Sequence, residues 1–211
     1  MNKLFISICI LCCGFTVKAQ YPGYTSLNDL GTFKSAFAVA AQKTSSIKSD
    51  FVQEKNLSML SEKIISKGKF WFKKENQVRM EYTNPFEYLM VINKDKVFIK
   101  DGQKQNTIST KSNKLFQQIN KITVDCVQGN VLNNTDFTIR VFENKTTYLI
   151  EMSPMAKNLK DFFKTIIVTV DKKDYTVSNI EMDENSGDNT IIRFSNKEMN
   201  TNLPDALFAI K

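Results

Sequence analysis

Histidine is absent from all 211 residues, and that absence removes more chemistry than any other feature of the composition. Without it the chain cannot assemble a Ser-His-Asp triad, a Cys-His pair or a histidine metal site. Glycine is scarce as well: seven residues lie scattered, and none forms the glycine-rich turn that cradles a phosphate. Of four cysteines, Cys9, Cys12 and Cys13 crowd near the N-terminus, which leaves Cys126 alone in the rest of the chain. One thiol makes no intramolecular disulfide, so the fold must rest on its core. With no histidine to activate it, Cys126 reads as a small buried apolar residue. The carboxylate pairs Asp171/Asp174 and Asp183/Glu184 sit in or beside hairpin turns, where such groups face water. Glu81, mid-strand among apolar neighbours, is the one carboxylate to consider as an acid or base, and beside Arg79 it reads as an outward-facing strand residue. The composition points away from an enzyme and calls for no cofactor or metal.

Long apolar runs are also lacking. Residues 4–15 form an apolar stretch, but a bilayer span needs roughly 20 such residues. The stretch follows Asn2-Lys3 and precedes Val17-Lys18-Ala19, the layout of a secretory signal. Cys13 is preceded by Ile10-Leu11-Cys12, a poor match to a lipidation signal. We therefore expect residues 1–19 to be removed near Ala19/Gln20, leaving residues 20–211 as a single exported domain. Losing Lys3 and Lys18 lowers the formal charge from +7 to +5. The remaining lysines are spread singly or in pairs, which describes a solvated surface and gives no nucleic-acid groove.

What is present is mostly strand. Ser26-Leu27-Asn28-Asp29 has the form of a helix start with a serine cap, and Leu27, Leu30, Phe33, Phe37 and Ile47 follow at helical spacing, predicting an amphipathic helix over 27–46. Then come eleven short segments rich in aromatic and β-branched residues: 48–57, 64–74, 77–83, 87–93, 96–100, 103–109, 136–143, 146–153, 164–171, 175–183 and 189–196. Polar turns such as Lys74-Glu75-Asn76 and Lys172-Lys173-Asp174 separate them. Connections this short predict antiparallel meanders, and about eleven strands should curl into a barrel or half-barrel. Residues 111–132 break the pattern and suit short helices, as does a piece around 158–163.

Several strands are apolar on both faces. In "GKFWFKKENQVRMEYTNP", residues 68–85, Phe70 and Phe72 point one way and Trp71, the only tryptophan, points the other. A sheet that packs once alternates apolar with polar. The expected explanation is that helices cover one face while the other lines an interior, filled by its own side chains or by an apolar ligand.

These motifs resemble the LolA family of periplasmic lipoprotein carriers. Phe51-Val52-Gln53 is similar to the family's first-strand pattern. Gly68-x-Phe70-Trp71-x-Lys73-Lys74 followed by Met80-x-Tyr82-Thr83-x-Pro85 is similar to its core, with Ser153-Pro154, Asn158-Leu159-Lys160 and Leu203-Pro204-Asp205 continuing the match over nearly the whole chain after Ala19. The resemblance implies an α+β fold, an unclosed antiparallel half-barrel whose N-terminal amphipathic helix and short lid helices cover an apolar cavity. It implies acylated lipoproteins, or another lipid, as cargo. It also implies an inner-membrane releasing transporter, an outer-membrane acceptor, transient membrane association and a monomeric carrier. A sensor or interaction module that binds acylated protein stays open beside that reading. The expected lining is Phe37, Phe51, Phe70, Phe72, Val78, Met80, Tyr82, Leu89, Val91, Leu115, Phe116, Ile119 and Val168. Where the family commonly has Arg-Pro, the arginine latching the lid, this chain has Lys74-Glu75; Lys74 and Arg79 are the expected latch or mouth residues. Intact-mass measurement of the exported protein should give a chain beginning at Gln20, and a product retaining residues 1–19 would refute cleavage there.

Overall fold

The computed structural model describes residues 21–60, 62–109, 122, 125–126 and 130–210. The expected signal segment, Leu115, Phe116, Ile119 and most of the expected lid stretch lie outside the described residues. Turns of two to five residues join most consecutive strands, and within each meander every strand lies beside its predecessor. The strands are β1 (Thr25–Ser26), β2 (Ser46–Leu57), β3 (Glu62–Lys73), β4 (Gln77–Asn84), β5 (Tyr88–Asn93), β6 (Lys96–Asp101) and β7 (Lys104–Ser109), followed by β8 (Phe137–Glu143), β9 (Thr147–Pro154), β10 (Phe163–Asp171), β11 (Val177–Glu184) and β12 (Asn189–Met199). All eleven expected strands are present, and the twelfth is the two-residue β1.

They form one antiparallel sheet in the order β1-β8-β9-β10-β11-β12-β2-β3-β4-β5-β6-β7. Two meanders, β2 to β7 and β8 to β12, are joined where β12 pairs with β2. The terminal strands β1 and β7 do not pair with each other, so the half-barrel is unclosed, as expected.

Helix α1 (Leu30–Lys43) is shorter than the sequence pattern suggested. Its cap is Asp29, whose carboxylate accepts from the Thr32 amide at 2.9 Å and from the Thr32 hydroxyl at 2.6 Å. Ser26 does not cap it, because Ser26 is held in β1 opposite Phe142. Phe33, Phe37 and Ala41, spaced by four, form the buried stripe. A second, single-turn helix α2 (Lys157–Lys160) bridges β9 and β10.

Pairing across an antiparallel ladder puts opposed residues on one face. Ile47, Phe72, Val78, Ile92 and Val97 form one such row; Ser49, Phe70, Met80, Met90 and Ile99 form the next. These rows face inward with Phe51 and Tyr82. Helix α1 lies on this same inner face, where Phe33 and Phe37 pack with Ile150, Val168 and Ile180 of the other meander. The expectation that helix and interior occupy opposite faces is corrected here. The outer face of β3, β5 and β6 is covered instead by the C-terminal segment. Leu203, Leu207, Phe208 and Ile210 pack on Trp71, Leu89, Val91 and Phe98. Lys73 donates to the Leu203 carbonyl at 3.0 Å, Arg79 to the Leu207 carbonyl at 3.1 Å, and Asn93 to the Phe208 carbonyl at 2.9 Å. That strap accounts for the double-sided apolar character of β3.

The inner row holding Phe51, Gly68 and Tyr82 leaves no room at its centre. A Cβ on Gly68 would stand 2.1 Å from the Glu81 carbonyl oxygen and 2.8 Å from the Phe51 ring. The first contact is with backbone and cannot relax cheaply. Gly68→Ala should cost about 3 kcal/mol or more of stability, the upper range for overpacking, read as a lowered midpoint in urea unfolding; an unchanged midpoint would contradict the close approach.

Candidate functional site

Among the described residues the interior is mostly filled by aliphatic and aromatic side chains, which leave a narrow apolar slot of about 50 Å³. It lies on the seam between the meanders, beneath the C-terminal turn of α1. Ala41 and Thr44 roof it; Ile47, Phe70, Ile180 and Phe194 form its walls; Met199, Tyr175 and Cys126 complete it. The expected hollow is thus a slot in this structure, well under the roughly 300 Å³ of a site that buries a drug-sized ligand. One polar atom inside it stands out. Ser49, only 3% exposed, lines the slot, and its hydroxyl has no hydrogen-bond partner among the described residues. A buried hydroxyl left unpaired is costly, so it is suited to meet a polar atom of something entering. At one end Lys197 closes the slot, its ammonium donating to Asp171 and to the Thr176 hydroxyl at 2.6 Å each.

The roof is tied down at its C-terminal end. Lys74 Nζ donates to the Gln42 carbonyl at 2.6 Å, and the Lys74 amide donates to the Ser45 carbonyl at 3.0 Å. An ammonium beside the last carbonyls of a helix also complements the negative end of its dipole. The turn that carries Lys74 has Glu75 and Asn76 at positive φ, 71° and 61°. A proline ring holds φ near −65°, so the Arg-Pro pair of the family pattern cannot adopt this turn. Ser45 is held from the other side by Asn200, whose side-chain oxygen accepts from its amide at 2.7 Å.

Phe51, Phe70, Phe72 and Val78 come together in one buried inner cluster, with Met80 and Tyr82 packed against it. Phe37 and Val168 meet in the adjoining cluster under α1. Of the ten expected lining residues that are described, Phe70 alone borders the slot itself. Leu89 and Val91 are on the outer face under the strap, because each pairs with an outward residue of β4, Glu81 and Arg79. Arg79 likewise leaves the mouth: it binds Glu81 at 2.6 Å, stacks 5.6 Å over Trp71 and holds the strap. Sequence reasoning missed Ile180, Phe194 and Met199 as neighbours of Phe70. Their strands were visible, but the β12–β2 pairing that carries Phe194 to Phe51 was not.

Burial, and secondarily the charge of Asp125, pushes the Cys126 thiol from 9.0 up to about 12. A raised folded-state value favours the neutral thiol, so this contribution to stability is present below the unfolded thiol's range and is lost as pH rises through it toward 12. Near pH 8 the thiolate fraction is on the order of 10⁻⁴, and a thiol reagent should label native Cys126 at least about a hundredfold more slowly than the denatured chain. Equal rates would show that the slot wall opens freely.

The family model described as outer membrane lipoprotein carrier protein LolA matches residues 42–211. Among solved structures, an uncharacterized conserved protein from Thermus thermophilus is 8% identical with a TM-score of 0.50, covering 84% of this chain and 91% of that one. MucB is 12% identical with a TM-score of 0.50, covering 85% of this chain and 62% of that one. A LolA superfamily protein from Nitrosomonas europaea is 10% identical with a TM-score of 0.44, covering 84% of this chain and 97% of that one. No functionally curated protein matches the chain. At these identities the two likenesses with a TM-score of 0.50 bear on the fold alone, whereas the family model spans β2 to the strap, and on that match the chain belongs to the LolA family.

Proposed function

We propose that the protein is a periplasmic carrier that shelters the acyl chains of lipoproteins between the inner and outer membranes, with its chemistry limited to binding and release. The observation that carries this reading is the apolar slot under α1, at the seam of a LolA-family half-barrel. An acyl chain loses about 0.8 kcal/mol for each methylene left in water, so it requires an apolar shelter to cross an aqueous space. The slot as it stands is too narrow for a whole chain, and loading requires α1 to lift. Its C-terminal turn is the part to move, held by the Lys74–Gln42 bond, while Ile47, Phe70, Ile180 and Phe194 would take the chain. Ser49 would donate to an ester carbonyl entering with it. In this reading Lys74 is the latch in place of the family's arginine, but as a single point charge rather than a planar fork. A transporter at the inner membrane and an acceptor at the outer membrane are the implied partners, met in turn by a monomer.

Ser49→Leu should fill the slot and lower affinity for a fluorescent acyl probe by about tenfold or more, the price of a lost two-methylene fit plus overpacking. Unchanged affinity would remove the slot from the binding site. Release assays on inner-membrane vesicles test the cargo: the purified protein should bring lipoproteins into solution, and release of free lipid alone would refute lipoprotein cargo. Lys74→Met should speed probe exchange, because the end of α1 loses a side-chain tie to the β3–β4 turn.

A further inference from the structure

Strand β3 outruns its neighbour on one side. β2 and β3 pair without a break as far as Leu57 and Glu62, whereas β4 joins β3 only from Lys67. Among the described residues, 62–66 are therefore paired along one edge alone, over about 16 Å at the rise of a strand. β4 does not follow them: Asn84 is its last residue, and Pro85, next in the chain, has no amide to make a further rung.

Two hydrogen bonds fix which backbone groups this leaves free. The Lys74 amide donates to the Ser45 carbonyl on the β2 side at 3.0 Å, and the Lys67 carbonyl accepts from the Thr83 hydroxyl on the β4 side at 3.3 Å. Backbone groups alternate between the two edges of a strand, and the β2–β3 register runs without a shift. The backbone groups of odd-numbered β3 residues thus point toward β4, and beyond its end those residues are Ile65 and Lys63. Among the described residues their two amides and two carbonyls meet no strand. A lysine often blunts such an edge, but Lys63 is drawn back over β2 by its 2.6 Å bond to Glu54. Ile64 on the inner face and Ile65 on the outer flank the free groups, 38% and 47% exposed. Phe86 stands exposed in the turn that leads away from β4.

We propose that this edge is a strand-addition site, at which a short extended segment of a partner protein pairs antiparallel to residues 63–65, in line with β4. Two donors and two acceptors at strand spacing match the backbone of another extended polypeptide. Apolar side chains on both faces favour β-branched residues opposite them. Charge selects little, because Glu54 and Glu62 offset Lys63 and Lys67, so the fitting segment is uncharged. So short a ladder buries far less than the roughly 1,200 Å² of total surface that marks a stable assembly, which suits a transient partner and not a permanent second copy. The edge lies at the far end of β3 from Lys74, and pairing there does not depend on what the slot holds.

Amide NMR of the cargo-free protein tests this, with a capped peptide of alternating threonine and valine as the probe. In the protein alone, the Lys63 and Ile65 amides should exchange with solvent at least about tenfold faster than those of Ile64 and Ser66, which face β2. Adding the peptide should slow exchange at residues 63 and 65. The same peptide N-methylated at every residue keeps its side chains but loses its donors, and should bind at least about tenfold more weakly. Ile65→Pro removes one free donor without touching the β2 ladder, and should weaken peptide binding by about fivefold. The methylated peptide keeps the test decisive even if that variant folds poorly. Slow exchange of both amides in the protein alone, no protection on adding peptide, or equal binding by the methylated peptide would each overturn the proposal. So would a concentration-dependent dimer that protects the same two amides without peptide.

Discussion

The pairing of β12 with β2 is the contact on which the rest of the structure depends. It joins residues 189–199 to residues 47–56, the last strand to the first long one, and converts two separate meanders into one sheet. Without that ladder, Phe70 and Phe51 would belong to one small sheet and Ile180 and Phe194 to another, each with an apolar face open to water. With it, the two inner faces become continuous and α1 can lie across both. The slot exists because this seam is where the two meanders curve toward each other beneath the helix.

Covering the sheet twice follows from the same curvature. The inner face is occupied by α1 and by its own apolar rows, so apolar residues on the outer face need a different partner. The C-terminal strap supplies it for Trp71, Val91 and Phe98, and Lys73, Arg79 and Asn93 fix its backbone carbonyls in place. On the far meander, the chain before α1 plays the corresponding part. Tyr21 packs edge-on against Phe142, and its hydroxyl donates to the buried Glu151 at 2.6 Å. Burial and that hydrogen bond together raise the Tyr21 phenol well above its ordinary range. Both of these segments thus pack on the outer face, and neither competes with α1 for the inner one. Lys74 sits where inner and outer arrangements meet, at the turn between β3 and β4, and it is the side chain that ties the helix to that turn.

Much of this was legible beforehand, for physical reasons that can be named. Strand positions follow from local pattern and turn chemistry, which is why all eleven expected segments were found within a few residues. The face assignment within a strand also follows from its period of two: Phe70 and Phe72 do oppose Trp71. What failed was the identity of whatever covers each face. Leu89 and Val91 were expected to line the interior because their strand is apolar throughout, and period alone cannot say which of two apolar faces turns inward. Their register against Glu81 and Arg79 decided it. Arg79 was expected with Lys74 as a latch or mouth residue, but alternation carried it to the strap. Ser26 lost its capping role because two residues of β1 gain pairing with β8, whereas Asp29 can cap three residues later.

The sequence by itself determined the classes: no histidine chemistry, a strand-rich antiparallel chain, a helix with one apolar stripe, and a set of motifs that mark the LolA family. Each of those depends on composition or on neighbours a few residues apart. Only the tertiary structure decided the pairing of first and last long strands, the helix and slot sharing one face, the strap over Trp71, and the bond from Lys74 to the end of α1. These depend on contacts between residues dozens to more than a hundred positions apart. Local periodicity carries no record of such distances, and they are settled only when the sheet closes its ladders.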